Sequence, residues 1–165
     1  MLKRLLLAMF LALPLAAQSL EQKIYESSVV VFSEQAHSAL RAICTGAAIA
    51  KSGDTYTVLT AAHCVATINA QGDTVPYSHK IFINSTINPR GRKEAQIALL
   101  GDLRRGEDYA LITAESSEPL QLLTIQREPR TPFEEIFAVG TPFGIGKLFF
   151  RGWITEPASH PTIYQ

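Results

Sequence analysis

The chain's only two cysteines, Cys44 and Cys64, lie on either side of a predicted hairpin turn, and this pair restricts the fold more than any other feature. The turn is predicted at 51–54, where K-S-G-D separates two runs rich in small or β-branched residues. Folding the chain at Gly53 and Asp54 brings the first cysteine back to about the level of the second. A disulfide between them would fasten the end of one strand to its neighbour.

The first 19 residues have the composition of an export signal. Two basic residues at 3–4 precede an apolar core at 5–15 and the small-residue stretch A-A-Q-S at 16–19. The apolar core is shorter than the roughly 20 residues that a membrane-spanning helix needs. We therefore predict a signal peptide over 1–19, and a secreted or periplasmic protein with no membrane attachment after cleavage. An oxidising compartment would also favour the disulfide. A buried amphipathic N-terminal helix is the alternative interpretation.

The composition is that of a globular protein, with 47% hydrophobic and 18% charged residues. Fifteen basic and fifteen acidic side chains leave no net charge. This balance argues against nucleic acid or an anionic membrane surface as the main partner.

Short apolar runs, separated by turn residues and without long helical periodicity, predict an all-β barrel or sandwich. A short polar connection is expected before the first strand. The strands are predicted at 28–32, 42–50, 55–61, 80–84, 95–100, 136–139 and 148–155, with another that begins at Asp108.

His63 is the candidate general base. It follows the apolar run 55–61, and the small residues Ala61 and Ala62 allow a tight turn there. An imidazole works as a base when a turn holds it, a carboxylate orients it and a nucleophile lies within reach. A lone histidine at a strand end with a satisfied ring is the alternative.

Asp108 is the candidate carboxylate, because it precedes an apolar run from which it can point back at an imidazole. Asp102 is its rival. That residue follows a predicted strand, however, and Arg104 and Arg105 beside it are competing partners.

These stretches resemble the trypsin-like serine proteases. T-A-A-H-C at 60–64 matches the family's histidine motif, and D-Y-A-L-I at 108–112 is similar to its aspartate and the short aliphatic strand that follows. The loop A-x-G-x-P-F-G at 138–144 is similar to that of bacterial HtrA-type proteases, with an unrelated glycine-rich hairpin as the alternative. The resemblance extends over residues 24–160.

The resemblance implies a trypsin-like double β-barrel whose first barrel is complete and whose second is truncated. The first barrel is expected over 24–118 and carries the catalytic residues His63 and Asp108. An inter-barrel linker over 119–133 and a partial second barrel over 134–165 follow. In an open second barrel, several large apolar residues are expected to stay partly exposed: Ile136, Phe137, Val139, Phe149, Phe150 and Trp153.

The family's nucleophilic serine lies in G-x-S-G-G, and this motif does not occur in the sequence. Ser116, Ser117 and Ser159 lie in no such context. We therefore expect a fragment of a secreted or periplasmic serine endopeptidase that acts on protein or peptide substrates, inert by itself. A catalytically inactive homologue that binds peptides or proteins is the alternative. Substrate preference and oligomeric state are not determined by the sequence.

No cofactor or metal site is predicted. The glycine-rich loop at 140–146 does not match the phosphate-binding pattern G-x-x-x-x-G-K-[ST]. His37, His79 and His160 are too scattered, with only two cysteines in the chain, to indicate a zinc site.

Overall fold

The computed structural model describes residues 19–34, 41–88, 90–116, 118–126 and 131–155. The predicted signal peptide, except Ser19, lies outside the described residues and stays a prediction. Within them no helix is long and apolar enough to cross a membrane. One helix, α1 (Leu20–Ser27), precedes strands β1 (Ser28–Ser33), β2 (Arg41–Ser52), β3 (Thr55–Thr60), β4 (Ala66–Ile68), β5 (Thr74–Pro76), β6 (Ile81–Asn84), β7 (Lys93–Leu100), β8 (Ala110–Glu115), β9 (Glu135–Gly140) and β10 (Leu148–Trp153).

Six of these strands form a closed barrel in the order β1-β2-β3-β8-β7-β6. Every neighbouring pair is antiparallel, and pairing of β6 with β1 closes the ring. The all-β prediction is confirmed, and the structure has a barrel and not a sandwich because pairing of β1 with β6 leaves this six-stranded sheet without an edge.

The predicted hairpin between the two cysteines is present. Ser52 pairs with Thr55, so that Gly53 and Asp54 form a two-residue turn. Gly53 has a φ of 57°, and only glycine adopts positive φ readily at the first position of such a turn. Local turn chemistry thus sets the register of β2 against β3.

The barrel core contains mostly β-branched residues from facing strands. Val29, Val31 and Val58 are fully inaccessible, as is Ile112. Each such side chain contributes roughly 1.5–3 kcal/mol by leaving water. Burial in β3 alternates along the strand, as expected where one face lines a barrel.

The structure differs from the sequence-based expectation in three places. The expected polar connection before β1 is helix α1, whose N-cap Ser19 accepts a hydrogen bond from the backbone N–H of Gln22 at 3.2 Å. Strands β4 and β5 were missed because each has only three residues, most of them at least partly exposed. Asp108 does not open a strand, since β8 begins two residues later, at Ala110.

Strands β9 and β10 form a separate antiparallel hairpin, the part of a second barrel that the described residues contain. The expected exposure of its apolar residues is confirmed: Ile136, Phe149, Phe150 and Trp153 are 41–60% exposed, and Phe137 and Val139 are half-buried. Residues 118–126, which lie between the two regions in sequence, contact the first barrel through Leu120 and Leu123. In that segment Leu120 N–H donates to the hydroxyl of Tyr56, and Leu123 N–H donates to the carbonyl of Ala48. The domain limits themselves remain predictions.

Candidate active site

The chain turns sharply at the end of β3, in a short 3-10 helix at Ala62–Cys64. Ala62 and Cys64 are buried, whereas the side chain of His63 between them is 65% exposed. The turn therefore fixes its two neighbours in the core and directs the imidazole outward.

A disulfide joins Cys64 of this turn to Cys44 of β2, as predicted. The two Cα atoms are 6.0 Å apart, a usual separation for a disulfide. The bond ties the residue after His63 to the adjacent strand, and it restricts movement of the turn.

Asp108 lies in a loop that is shaped by Gly101. The N–H of Gly101 donates to the carbonyl of Tyr109 at 2.9 Å, which closes the loop at its base. A Cβ atom at Gly101 would lie 2.2 Å from the carbonyl oxygen of Glu107, so any other residue would force this loop open. Glu107 in turn accepts the N–H of Asp102 with its carboxylate at 3.0 Å.

The carboxylate of Asp108 contacts His63 twice. Its Oδ2 atom lies 2.7 Å from the ring Nδ1, and its Oδ1 atom accepts the backbone N–H of the same histidine at 2.9 Å. One carboxylate thus fixes both the position of the backbone and the rotation of the ring. Within the described residues, the Nε2 atom of His63 has no hydrogen-bond partner.

The pKa of Asp108 lies below its ordinary value. Burial is the largest single effect and raises this pKa. The opposing effects are together larger and lower the pKa: they come from the backbone N–H and ring of His63 and from the backbone N–H of Ala62. The carboxylate is therefore ionised at neutral pH and accepts the ring proton at Nδ1. An imidazole held in this tautomer can accept a proton at Nε2.

Asp102, the rival carboxylate, is bound elsewhere. Its oxygens accept hydrogen bonds from Thr74 and from the backbone and guanidinium of Arg104, each at 3.1 Å. The side-chain hydrogen bond from Arg104 is the main cause that lowers the pKa of Asp102 to about 2. Asp102 therefore stabilises the loop and does not contact the imidazole.

A family model of the trypsin-like peptidase domain matches residues 44–160, more than half of the chain. The match includes both cysteines, His63 and Asp108. The chain belongs to the trypsin-like peptidase family. A comparison with curated proteins found no match. The similarity of the loop at 138–144 to HtrA-type proteases stays a prediction.

Thr141 of that loop makes contacts that the sequence did not indicate. It is buried, and its N–H donates to the hydroxyl of Thr45 at 2.8 Å. Its own hydroxyl donates to the carbonyl of Cys44 at 3.1 Å. In this member of the trypsin-like peptidase family, the loop before β10 is thereby fastened to β2 beside the disulfide. The only available signal was a polar residue between glycine and proline.

Cys44, His63 and Cys64 bring potential ligand atoms within 4.8 Å of one another. Metal binding needs thiolates, and both sulfurs are consumed in the disulfide. This group therefore does not fit a metal in the oxidised protein. Of the other histidines, His37 and His160 lie outside the described residues.

Proposed function

We propose that the chain contributes the general base His63 and its orienting carboxylate Asp108 to a secreted or periplasmic serine endopeptidase that acts on proteins or peptides. The observation that carries the proposal is the 2.7 Å contact between Nδ1 of His63 and the carboxylate of Asp108. This contact leaves Nε2 of the same ring without a partner among the described residues. Membership of the trypsin-like peptidase family supports it.

In this mechanism the Nε2 atom of His63 accepts the proton of the serine hydroxyl while the serine attacks the peptide carbonyl. The imidazolium then donates that proton to the leaving amine. Asp108 holds the ring and stabilises the imidazolium without taking up the proton itself. The lowered pKa of Asp108 suits this role, because the carboxylate stays ionised throughout the cycle.

The serine is the part of the triad that these residues do not supply, since G-x-S-G-G is absent from the sequence. We propose that the 165 residues are a fragment of the enzyme and are inactive alone. Loss of the nucleophile in a comparable triad lowers turnover about a million-fold.

A chimera tests the proposal. A serine-bearing segment with G-x-S-G-G, taken from a trypsin-like peptidase, follows residue 155. We expect a fluorophosphonate probe to label the chimera and to leave the 165-residue chain unlabelled. In the chimera, His63→Ala should lower peptide turnover about a million-fold, and Asp108→Asn about ten-thousandfold.

Asp73→Asn is the matched control, because Asp73 is an exposed carboxylate whose one side-chain partner in the described part of the chain is Arg104, at 3.5 Å. It should leave turnover unchanged. Stoichiometric labelling of the 165-residue chain alone would contradict the proposal, because it requires another nucleophile. A folded chimera that stays unlabelled would favour the inactive binding homologue.

A further inference from the structure

Tyr77 contacts the histidine turn at atoms that Asp108 does not contact. The hairpin formed by β4 and β5 leaves the turn and returns to it, and Tyr77 is the first residue after β5. Its N–H donates to the carbonyl of Val65 at 2.9 Å. Its hydroxyl donates to the carbonyl oxygen of His63 at 3.2 Å.

This contact completes the restraint of His63. The backbone N–H and the ring Nδ1 are held by Asp108, and the backbone carbonyl is held by Tyr77. Nε2 is the one polar atom of His63 without a partner among the described residues. The histidine is thus held on both sides of its Cα atom, and only the reactive nitrogen is left open.

The ring of Tyr77 is itself supported. It stacks on His79, with ring centroids 4.7 Å apart and planes inclined by 18°. The contact between the two rings is therefore through their faces, and the Nε2 atom of His79 is buried without a hydrogen-bond partner among the described residues. A stacked aromatic ring has fewer accessible orientations, which keeps the hydroxyl directed at the histidine turn.

We propose that Tyr77 is a positioning residue for the general base. The inference rests on the proposed function, since positioning matters to catalysis only if His63 is the base. Without the hydroxyl, the carbonyl of His63 is left to water and the turn can rotate against Asp108. The contact between Nδ1 and the carboxylate then opens more often.

The direct readout is the Nδ1 proton of His63, observed by NMR in the 165-residue chain labelled with ¹⁵N-histidine. Only four histidines contribute signals, and a His63→Gln variant assigns the one of interest. In Tyr77→Phe we expect this proton to exchange with water about two- to tenfold faster, the factor that corresponds to one ordinary hydrogen bond. In the chimera the same substitution should lower kcat by a similar factor and leave KM unchanged.

Tyr25→Phe is the matched control. Tyr25 lies on α1, and its hydroxyl has no hydrogen-bond partner among the described residues. It should leave the exchange rate and kcat unchanged. His79→Ala removes the stack but keeps the hydroxyl of Tyr77, and it should give a smaller acceleration, whereas His79→Phe should give none.

Two results separate the inference from the function on which it rests. Unchanged exchange of the Nδ1 proton in Tyr77→Phe, in a variant that melts at the same temperature, would overturn the role of Tyr77 alone. Full turnover of the chimera after His63→Ala would overturn the proposed function, and the catalytic role of Tyr77 with it.

Discussion

The closed barrel and the β9–β10 hairpin contain strands of similar apolar composition but opposite burial. All six residues of β1 are buried, whereas five of the six residues of β10 are exposed. β1 pairs with β2 and β6, but β10 pairs only with β9 among the described residues. The comparison shows that an apolar run is enough to form a strand, and that only closure of the sheet buries it.

The candidate site lies on the closed barrel. His63 follows β3 and Asp108 precedes β8, and these two strands pair along their whole length. Pairing of Thr60 with Ala110 brings the two loops together at one end of the barrel. The β9–β10 hairpin contributes the loop with Thr141, which bonds to Thr45 and to the carbonyl of Cys44 on β2.

The largest expected difference between the two regions is in amide hydrogen exchange. Amides of β9 and β10 should exchange on the order of a thousandfold faster than those of β1 and β3, because a two-stranded sheet opens without unfolding the core. Exchange measured by NMR or mass spectrometry on the 165-residue chain checks this. Equal protection in both regions would contradict the comparison.

Removal of the disulfide should weaken the barrel selectively. We expect the double variant Cys44→Ser and Cys64→Ser to lower the free energy of unfolding by about 2–4 kcal/mol, since the unfolded chain regains the freedom that the bond restricts. Urea unfolding followed by circular dichroism measures it. The rate of amide hydrogen exchange in β9 and β10 should stay the same in this variant. If it increased together with the rate in the barrel, the two regions would unfold as one unit.

Asp108→Asn should lower barrel stability at pH 7 by about 1–3 kcal/mol, because an ionised acceptor of two hydrogen bonds is lost. The folded protein has the lower pKa, so this stability is present above the ordinary value of 3.8 and is lost as pH falls through the folded value. Urea unfolding of both proteins between pH 7 and the acid limit tests the sign. The exposed control Asp73→Asn should change stability by less than about 0.5 kcal/mol. The parent chain and the Asp108→Asn variant should become more alike in their free energy of unfolding at low pH. A difference that widens there would contradict the lowered pKa of Asp108.

The smallest effect is expected at Lys147, which connects the loop before β10 to the end of α1. Its amine donates to the carbonyl of Ser28 at 2.6 Å and to that of Tyr25 at 3.2 Å. Burial lowers the pKa of Lys147 to about 8 and outweighs the opposing charge of Glu118. The unfolded chain therefore binds this proton more tightly, so the lysine's contribution to stability should rise between pH 8 and the ordinary value of 10.5.

Comparison of the parent chain with Lys147→Met over this pH range isolates the contribution of Lys147. As pH rises, the free energy of unfolding of the parent chain should increase relative to that of the Lys147→Met variant. A pH-independent difference would show that the amine is not buried against α1 in solution.

Most strands and the hairpin between the cysteines could be predicted from sequence, because alternation of apolar residues and turn chemistry are local properties. The positions of Cys44 and Cys64 on either side of Gly53 likewise predicted their bond. Strands β4 and β5 could not be predicted, since three-residue strands have too few positions for a period. The loop from Gly101 to Tyr109 was also hidden, because its shape depends on backbone contacts between residues several positions apart.

The sequence by itself determined which groups this protein can bring to a reaction: an imidazole in a tight turn, a carboxylate 45 residues later, and two cysteines that can pair. The sequence favoured Asp108 over Asp102, but only the tertiary structure showed that Asp108 contacts the imidazole and that Asp102 is bound by Arg104. It also placed Tyr77 against the carbonyl of His63. Such choices depend on distances across a closed barrel, where pairing of distant strands decides which loops meet.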